Sequence, residues 1–279
     1  MSFDWRHHKA AIWRSGPPDQ ERGSPWTSDV VLRAVRAYDT VALDDVYSVD
    51  QQKRALVSNT ERFLGGLKAN HALLWGAKGT GKSSLIKAVL NHFAPQGLRL
   101  IQVEKSHLSD WLTIADLIWD TPEYHFILYC DDLSFDFGES SYKGLKSLIE
   151  GSIEMPPPNM LMYATSNRRH LLPEHMHENL DAHVEDTEIH MSEALEEKIA
   201  LADRFGLRLG FYPFNQDAYL SLVDLYFPEP LSTRFVDREE LHRMAIQFAT
   251  ARGGRSGRVA QQFHRHYSED RSGSRVGMQ

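Results

Sequence analysis

Residues 76–83 read Gly76-Ala77-Lys78-Gly79-Thr80-Gly81-Lys82-Ser83, a complete G-x-x-x-x-G-K-[ST] loop. Such a loop works only between a buried strand and the first turn of a helix. Both neighbours are present in pattern. The apolar run Ala72-Leu73-Leu74-Trp75 precedes the loop, and Ser84-Leu85-Ile86-Lys87-Ala88-Val89-Leu90 follows it with helical spacing. Glycines let successive backbone N–H groups turn inward toward phosphate oxygens. The helix start adds unpaired donors and a positive dipole end. Lys82 can reach the β- and γ-phosphates, and the Ser83 hydroxyl can ligate Mg²⁺. The segment from Gly76 to Ser84 therefore predicts a nucleoside-triphosphate site, with ATP and Mg²⁺ as the expected cofactors.

A phosphate loop needs a second element to hold the metal and manage water. The run Phe126-Ile127-Leu128-Tyr129-Cys130 ends in Asp131-Asp132 and supplies it. Neighbouring side chains on a strand point to opposite faces, so the two acids should have different jobs. Asp131 is expected near the metal, and Asp132 toward the γ-phosphate, where it could orient or polarise water.

Four further apolar runs, at 98–103, 126–130, 160–165 and 207–212, alternate with helical patterns at 108–118, 142–149 and 194–205. That alternation predicts an α/β fold with a parallel sheet covered on both faces. Beyond Pro213 only helical patterns recur, at 217–226, 236–250 and 257–267. They predict a small all-helical C-terminal lid. Residues 1–40, broken by Gly16-Pro17-Pro18 and Ser24-Pro25, read as an N-terminal arm with one short helix around Asp29 to Tyr38. The expected division is an arm at 1–40, a nucleotide-binding core at 41–213, a helical lid at 214–268 and a disordered tail at 269–279.

Composition bounds the function classes. Hydrophobic residues at 42% and charged residues at 25% of 279 are ordinary for a soluble globular protein. No apolar run approaches the roughly 20 residues a membrane helix needs, so no membrane partner is expected. A single cysteine, Cys130, excludes an internal disulfide. It fits a reducing compartment, and cytoplasm is the expected location. A net charge of −7 gives no global basic field to gather nucleic acid. Nucleic acid stays possible without being indicated. The loop at 174–197 holds nine acidic residues together with His175, His177, His183 and His190. Its spacings match no compact zinc pattern, so a solvated acidic loop is the plainer reading and a metal site the alternative.

Taken together, these motifs resemble those of AAA+ P-loop ATPases over about residues 41 to 267. The resemblance rests on the phosphate loop, the Asp131-Asp132 strand end and Tyr163-Ala164-Thr165-Ser166-Asn167. It also rests on Asp203-Arg204-Phe205-Gly206 and Gly253-Gly254-Arg255-Ser256-Gly257-Arg258. More narrowly, Cys130-Asp131-Asp132-Leu133-Ser134-Phe135 and the segment from Tyr163 to Leu171 resemble a bacterial AAA+ family known as a domain of unknown function, related to the initiator and helicase-loader branch. The resemblance implies a role for Asn167 as sensor 1, which helps place the water. It implies that Arg204 is an arginine finger acting on a neighbouring subunit's nucleotide. Arg258 corresponds to sensor 2, with Arg255 as the fallback, and Val46 and Val49 to the stretch that packs on adenine. Two departures stand out. Many AAA+ motors end the third strand Asp-Glu, whereas Asp-Asp stands here. The aromatic-apolar-Gly pore loop of protein unfoldases is replaced by Glu104-Lys105-Ser106-His107-Leu108.

The resemblance implies an ATP-hydrolysing switch, slow in turnover and homo-oligomeric, that remodels a protein or protein–DNA partner. Two alternatives remain from the residues. One is a nucleotide-binding scaffold with little hydrolysis, which the short Asp132 side chain keeps open. The other is a small-molecule P-loop kinase, for which 91–121 offers only Arg99 and Lys105 as lid cations.

Overall fold

Each apolar run expected as a strand is one. The computed structural model describes residues 3–15, 30–119, 121–135, 142–150, 155–168, 171, 201–228 and 235–268. Within them run β1 (Ala10–Ser15), β2 (Val30–Ala34), β3 (Ala72–Gly76), β4 (Leu98–Gln102), β5 (His125–Cys130), β6 (Met160–Ser166) and β7 (Leu207–Phe211). They form one seven-stranded sheet in the order β2-β1-β4-β5-β6-β3-β7. The strands β4, β5, β6 and β3 pair in parallel. Their connections carry α1 (Asp50–Leu64, ahead of β3), α2 (Lys82–Phe93), α3 (Trp111–Trp119) and α4 (Tyr142–Glu150). A 3₁₀ stretch, Lys105–Asp110, leads into α3. β5 and β6 are almost wholly buried, as strands covered on both faces must be.

One expectation fails at the N-terminus. The helix expected around Asp29 to Tyr38 is a strand in its described part, and 35–38 are irregular. β2 pairs antiparallel with β1, Ala11 opposite Ala34 and Trp13 opposite Leu32. β1 in turn adds in parallel to β4, Ala10 opposite Leu100. Residues 10–15 and 30–34 are thus built into the sheet. The β-branched Val30-Val31 favours this outcome, but the deciding partner lies far away in sequence. Trp5 and Trp13 are core residues, 4% and 2% exposed. The Trp13 indole N–H donates to Asp110 at 2.9 Å, and the Trp5 ring meets Phe126 edge-on at 5.0 Å. Arg99 Nε donates to the Trp5 carbonyl at 2.9 Å.

The chain divides into two compact units. Met1–Gly76 with Lys82–Gly210 forms one; Ala77–Gly81 with Phe211–Gln279 forms the other. The core of the first unit runs from Trp5, Trp13 and Trp111 through Leu73, Phe126 and Leu128 to Met162, Leu145 and Phe205. The second holds α5 (Gln216–Tyr226), α6 (Arg238–Ala251) and α7 (Gly257–Tyr267). Each starts on a residue type that caps well. The Asn215, Asp237 and Ser256 side chains accept from the N–H groups of Ala218, Glu240 and Val259. Aromatic rings fill this lobe, with Phe263 at 5.5 Å from both Phe227 and Phe248. Asp224 on α5 ties down α6 by accepting from Arg238 at 3.0 Å and pairing with His242 at 2.7 Å. The expected tail at 269–279 and the acidic loop at 174–197 lie outside the described residues, as does most of the helix expected at 194–205.

Candidate functional site

The strand order decides what meets at the site. β6 stands between β5 and β3, so the ends of three parallel strands lie side by side: Cys130, Ser166 and Gly76. Parallel sheets take ligands in the crevice outside such ends. In the first unit, Lys82 opens α2 and is only 7% exposed. Its amine donates to the Gly76 carbonyl at 2.8 Å and to Asn167 Oδ1 at 3.1 Å. Asn167 passes the contact on, with Nδ2 donating to Asp132 Oδ1 at 2.5 Å. Only one orientation of the amide serves both neighbours, since an ammonium needs an acceptor and a carboxylate a donor. Lys82, Asn167 and Asp132 are thereby linked in one chain.

A second cluster surrounds Asp131. Its Oδ1 accepts from Ser83 Oγ at 2.9 Å and from Thr165 Oγ1 at 2.5 Å. Burial pushes the Asp131 carboxyl up, but the hydroxyls of Thr165 and Ser83 and the Asp132 N–H outweigh it and hold the pKa below the ordinary value of 3.8. Asp131 is therefore an anion at neutral pH. Because Ser83 gives its single proton to Asp131, its lone pairs are left to ligate. Two hard oxygen donors side by side fit Mg²⁺, which keeps water and phosphate oxygens in its other positions. Asp132 has a φ of 53°, a left-handed conformation that Asp tolerates better than most residues. That turn separates the two carboxylates and lets the Asp132 N–H donate to Thr165 Oγ1 at 2.9 Å.

The reading of the sequence missed Thr165 as a site residue. Its hydroxyl donates to one acid while accepting from the backbone of the other. The signal was its place two residues before Asn167, and the register, Cys130 opposite Ala164, sets it across from Asp131. Thr165→Val should cost about 1 kcal/mol, because the part-buried Asp132 N–H loses its partner. A carboxyl whose folded pKa is depressed stabilises the fold above its unfolded value and loses that contribution as pH falls through the folded value. Thermal unfolding between neutral pH and pH 3 should therefore show a smaller acid-dependent loss in Thr165→Val than in the native protein. An unchanged profile would contradict the arrangement.

In the second unit, the Gly79 carbonyl accepts from the Arg258 N–H at 3.3 Å. Gly79 has a φ of 78°, and a Cβ there would stand 2.8 Å from Ser256 Oγ and 3.0 Å from Arg258 Cβ. No side chain fits at this position. Thr80 Oγ1 donates to the Ala77 carbonyl at 2.8 Å, closing the loop on itself. Ser256, the buried cap of α7, is the second residue that sequence reasoning passed over; only tertiary contact reveals it. The Arg258 and Arg255 side chains are exposed, as is Lys78, while Gly81 and Ser84 are half-buried.

Val46 and Val49 are buried in the first unit, 3% and 4% exposed, just ahead of α1. Arg204 is exposed on the turn before β7. Among the described residues no cluster of three or more His, Cys, Asp or Glu side chains could hold a metal. Among them, too, no helix is long and apolar enough to cross a membrane.

Comparison with known proteins agrees with this geometry at the level of fold. Among curated proteins no significant sequence match is found. A RuvB point mutant from Thermotoga maritima superposes with a TM-score of 0.51 at 16% identity, covering 81% of this chain. The present chain spans 64% of that protein. A further Thermotoga maritima structure, the RuvB Holliday junction branch migration motor, gives a TM-score of 0.45 at 12% identity, covering 81% of this chain and 72% of that one. PCH-2 from C. elegans gives 0.48 at 15% identity, covering 79% of this chain and 63% of the other. The fold is that of AAA+ ATPases: mixed α/β, a mostly parallel sheet and C-terminal helices. The family described as "Protein of unknown function (DUF815)" matches residues 20–271. Matched over that span, the chain is a member of the DUF815 family.

Proposed function

We propose that this protein binds and hydrolyses ATP with Mg²⁺ and acts as an oligomeric nucleotide switch that remodels a protein or protein–DNA partner. The observation that carries this reading is the linked set Lys82–Asn167–Asp132 beside Ser83–Asp131–Thr165. Phosphoryl transfer asks a protein mainly for positioning and charge stabilisation. Lys82 supplies countercharge to the β- and γ-phosphates, and backbone N–H groups from Gly76 to Ser83 cradle them. Ser83 and Asp131 hold Mg²⁺, which neutralises charge on the phosphate oxygens. Asp132, steered by Asn167, orients the attacking water. Arg204 reaches the nucleotide of a neighbouring copy, and Arg258 reports the nucleotide state from the lid. Val46 and Val49 line the adenine side. Kinship with the initiator and loader branch belongs to the same proposal.

A second reading, a scaffold that scarcely hydrolyses ATP, draws support from Asp132. Its side chain is a methylene shorter than glutamate and one oxygen is already engaged by Asn167. The kinase alternative loses ground, because Arg99 is buried and donates to the carbonyls of Trp5, Ala94 and Leu98. Asp132→Asn separates the first two readings. If Asp132 manages the water, the variant should bind ATP normally, turn over about a hundredfold more slowly and accumulate in the ATP-bound form. Single-turnover hydrolysis unchanged by the substitution would remove Asp132 from the chemistry.

A further inference from the structure

Tyr129 stands two residues before Asp131 on β5, and strand geometry sets such a pair on one face. The residue is 4% exposed. Its phenol oxygen lies beside Ser83, Asp131 and Thr165. None of these approaches has hydrogen-bond geometry, however, and the hydroxyl has no partner among the described residues. A phenol holds its proton at neutral pH and is a donor. A buried hydroxyl without a partner is a standing penalty that phenylalanine would not carry. Meanwhile Asp131 Oδ1 already accepts two hydrogen bonds, and a carboxylate offers about four acceptor sites in all.

We infer that Tyr129 is a positioning residue for the metal: its O–H donates to the Asp131 carboxylate once that carboxylate turns to ligate Mg²⁺. Carboxylates that hold metals are themselves held by outer hydrogen bonds, and these fix their orientation. Ser83 and Thr165 occupy one oxygen, and the phenol waits within reach of the same group. The inference rests on the reading of Asp131 as the metal acid.

The test titrates mant-ATP into native protein and Tyr129→Phe, once in MgCl₂ and once in EDTA, and follows thermal unfolding of both without nucleotide. The nucleotide-free Phe variant should melt no lower than the native protein, since only an unpartnered group is removed. Affinity in EDTA should match. The gain in affinity on adding Mg²⁺ should shrink about tenfold in the variant, the lower end for an outer-shell partner. An equal Mg²⁺ gain in both proteins would overturn the inference, and so would a lowered melting temperature, which would mean that the phenol already has a structural partner. If the native protein itself showed no Mg²⁺ gain, the metal reading of Asp131 would fall first, and the inference with it.

Discussion

Lys82→Ala is expected to abolish ATP binding, weakening it by about a thousandfold or more. The Lys82 amine is nearly buried and donates to two neutral oxygens, Gly76 O and Asn167 Oδ1. These hold the ammonium in place. A phosphate oxygen about 4 Å away gains roughly 4 kcal/mol from such a charge at an effective dielectric near 20, and that corresponds to about a thousandfold in affinity. Alanine keeps the helix start and its N–H donors, so the fold should survive. Calorimetric titration with ATP checks the result. Retained tight binding in the variant would place the nucleotide elsewhere.

Arg204→Ala should lower ATP turnover by about a thousandfold while leaving ATP affinity within a few-fold. An arginine finger acts on charge that develops only during transfer, so its loss falls on the rate. Arg204 is exposed ahead of β7, and surface substitutions rarely change stability by more than about 0.5 kcal/mol. The trans geometry has its own signature. Lys82→Ala subunits lack the binding cation but keep Arg204, and Arg204→Ala subunits have the reverse defect. Mixing two inactive variants should restore part of the turnover if the finger reaches a neighbour. No recovery on mixing, or equal loss of affinity and rate in Arg204→Ala, would count against it.

Much of this architecture could be read from local pattern. The phosphate loop, the strands around it and the helical lobe all announce themselves through periodicity and glycine spacing, which are short-range signals. Asp131, Asp132 and Asn167 draw notice because they follow directly on the ends of β5 and β6, where a parallel sheet takes its ligands. Residues 10–15 and 30–34 were not. Their strand identity comes from pairing with each other and with Leu100 and Ile101, and no short window contains those partners. Thr165 and Tyr129 were hidden for a related reason. Within an apolar run a threonine or a tyrosine reads as core, and only the register across β5 and β6 turns their hydroxyls into neighbours of Asp131. Ser256 required the close approach of α7 to Gly79, a contact between segments more than a hundred residues apart in sequence.

The most direct test of the central claim is steady-state ATP hydrolysis by the native protein across a concentration series, with mass measured with and without a non-hydrolysable ATP analogue. The account predicts Mg²⁺-dependent turnover per subunit that rises with concentration as the analogue drives assembly to a larger mass. A monomer at every concentration, with flat and near-zero turnover, would contradict it.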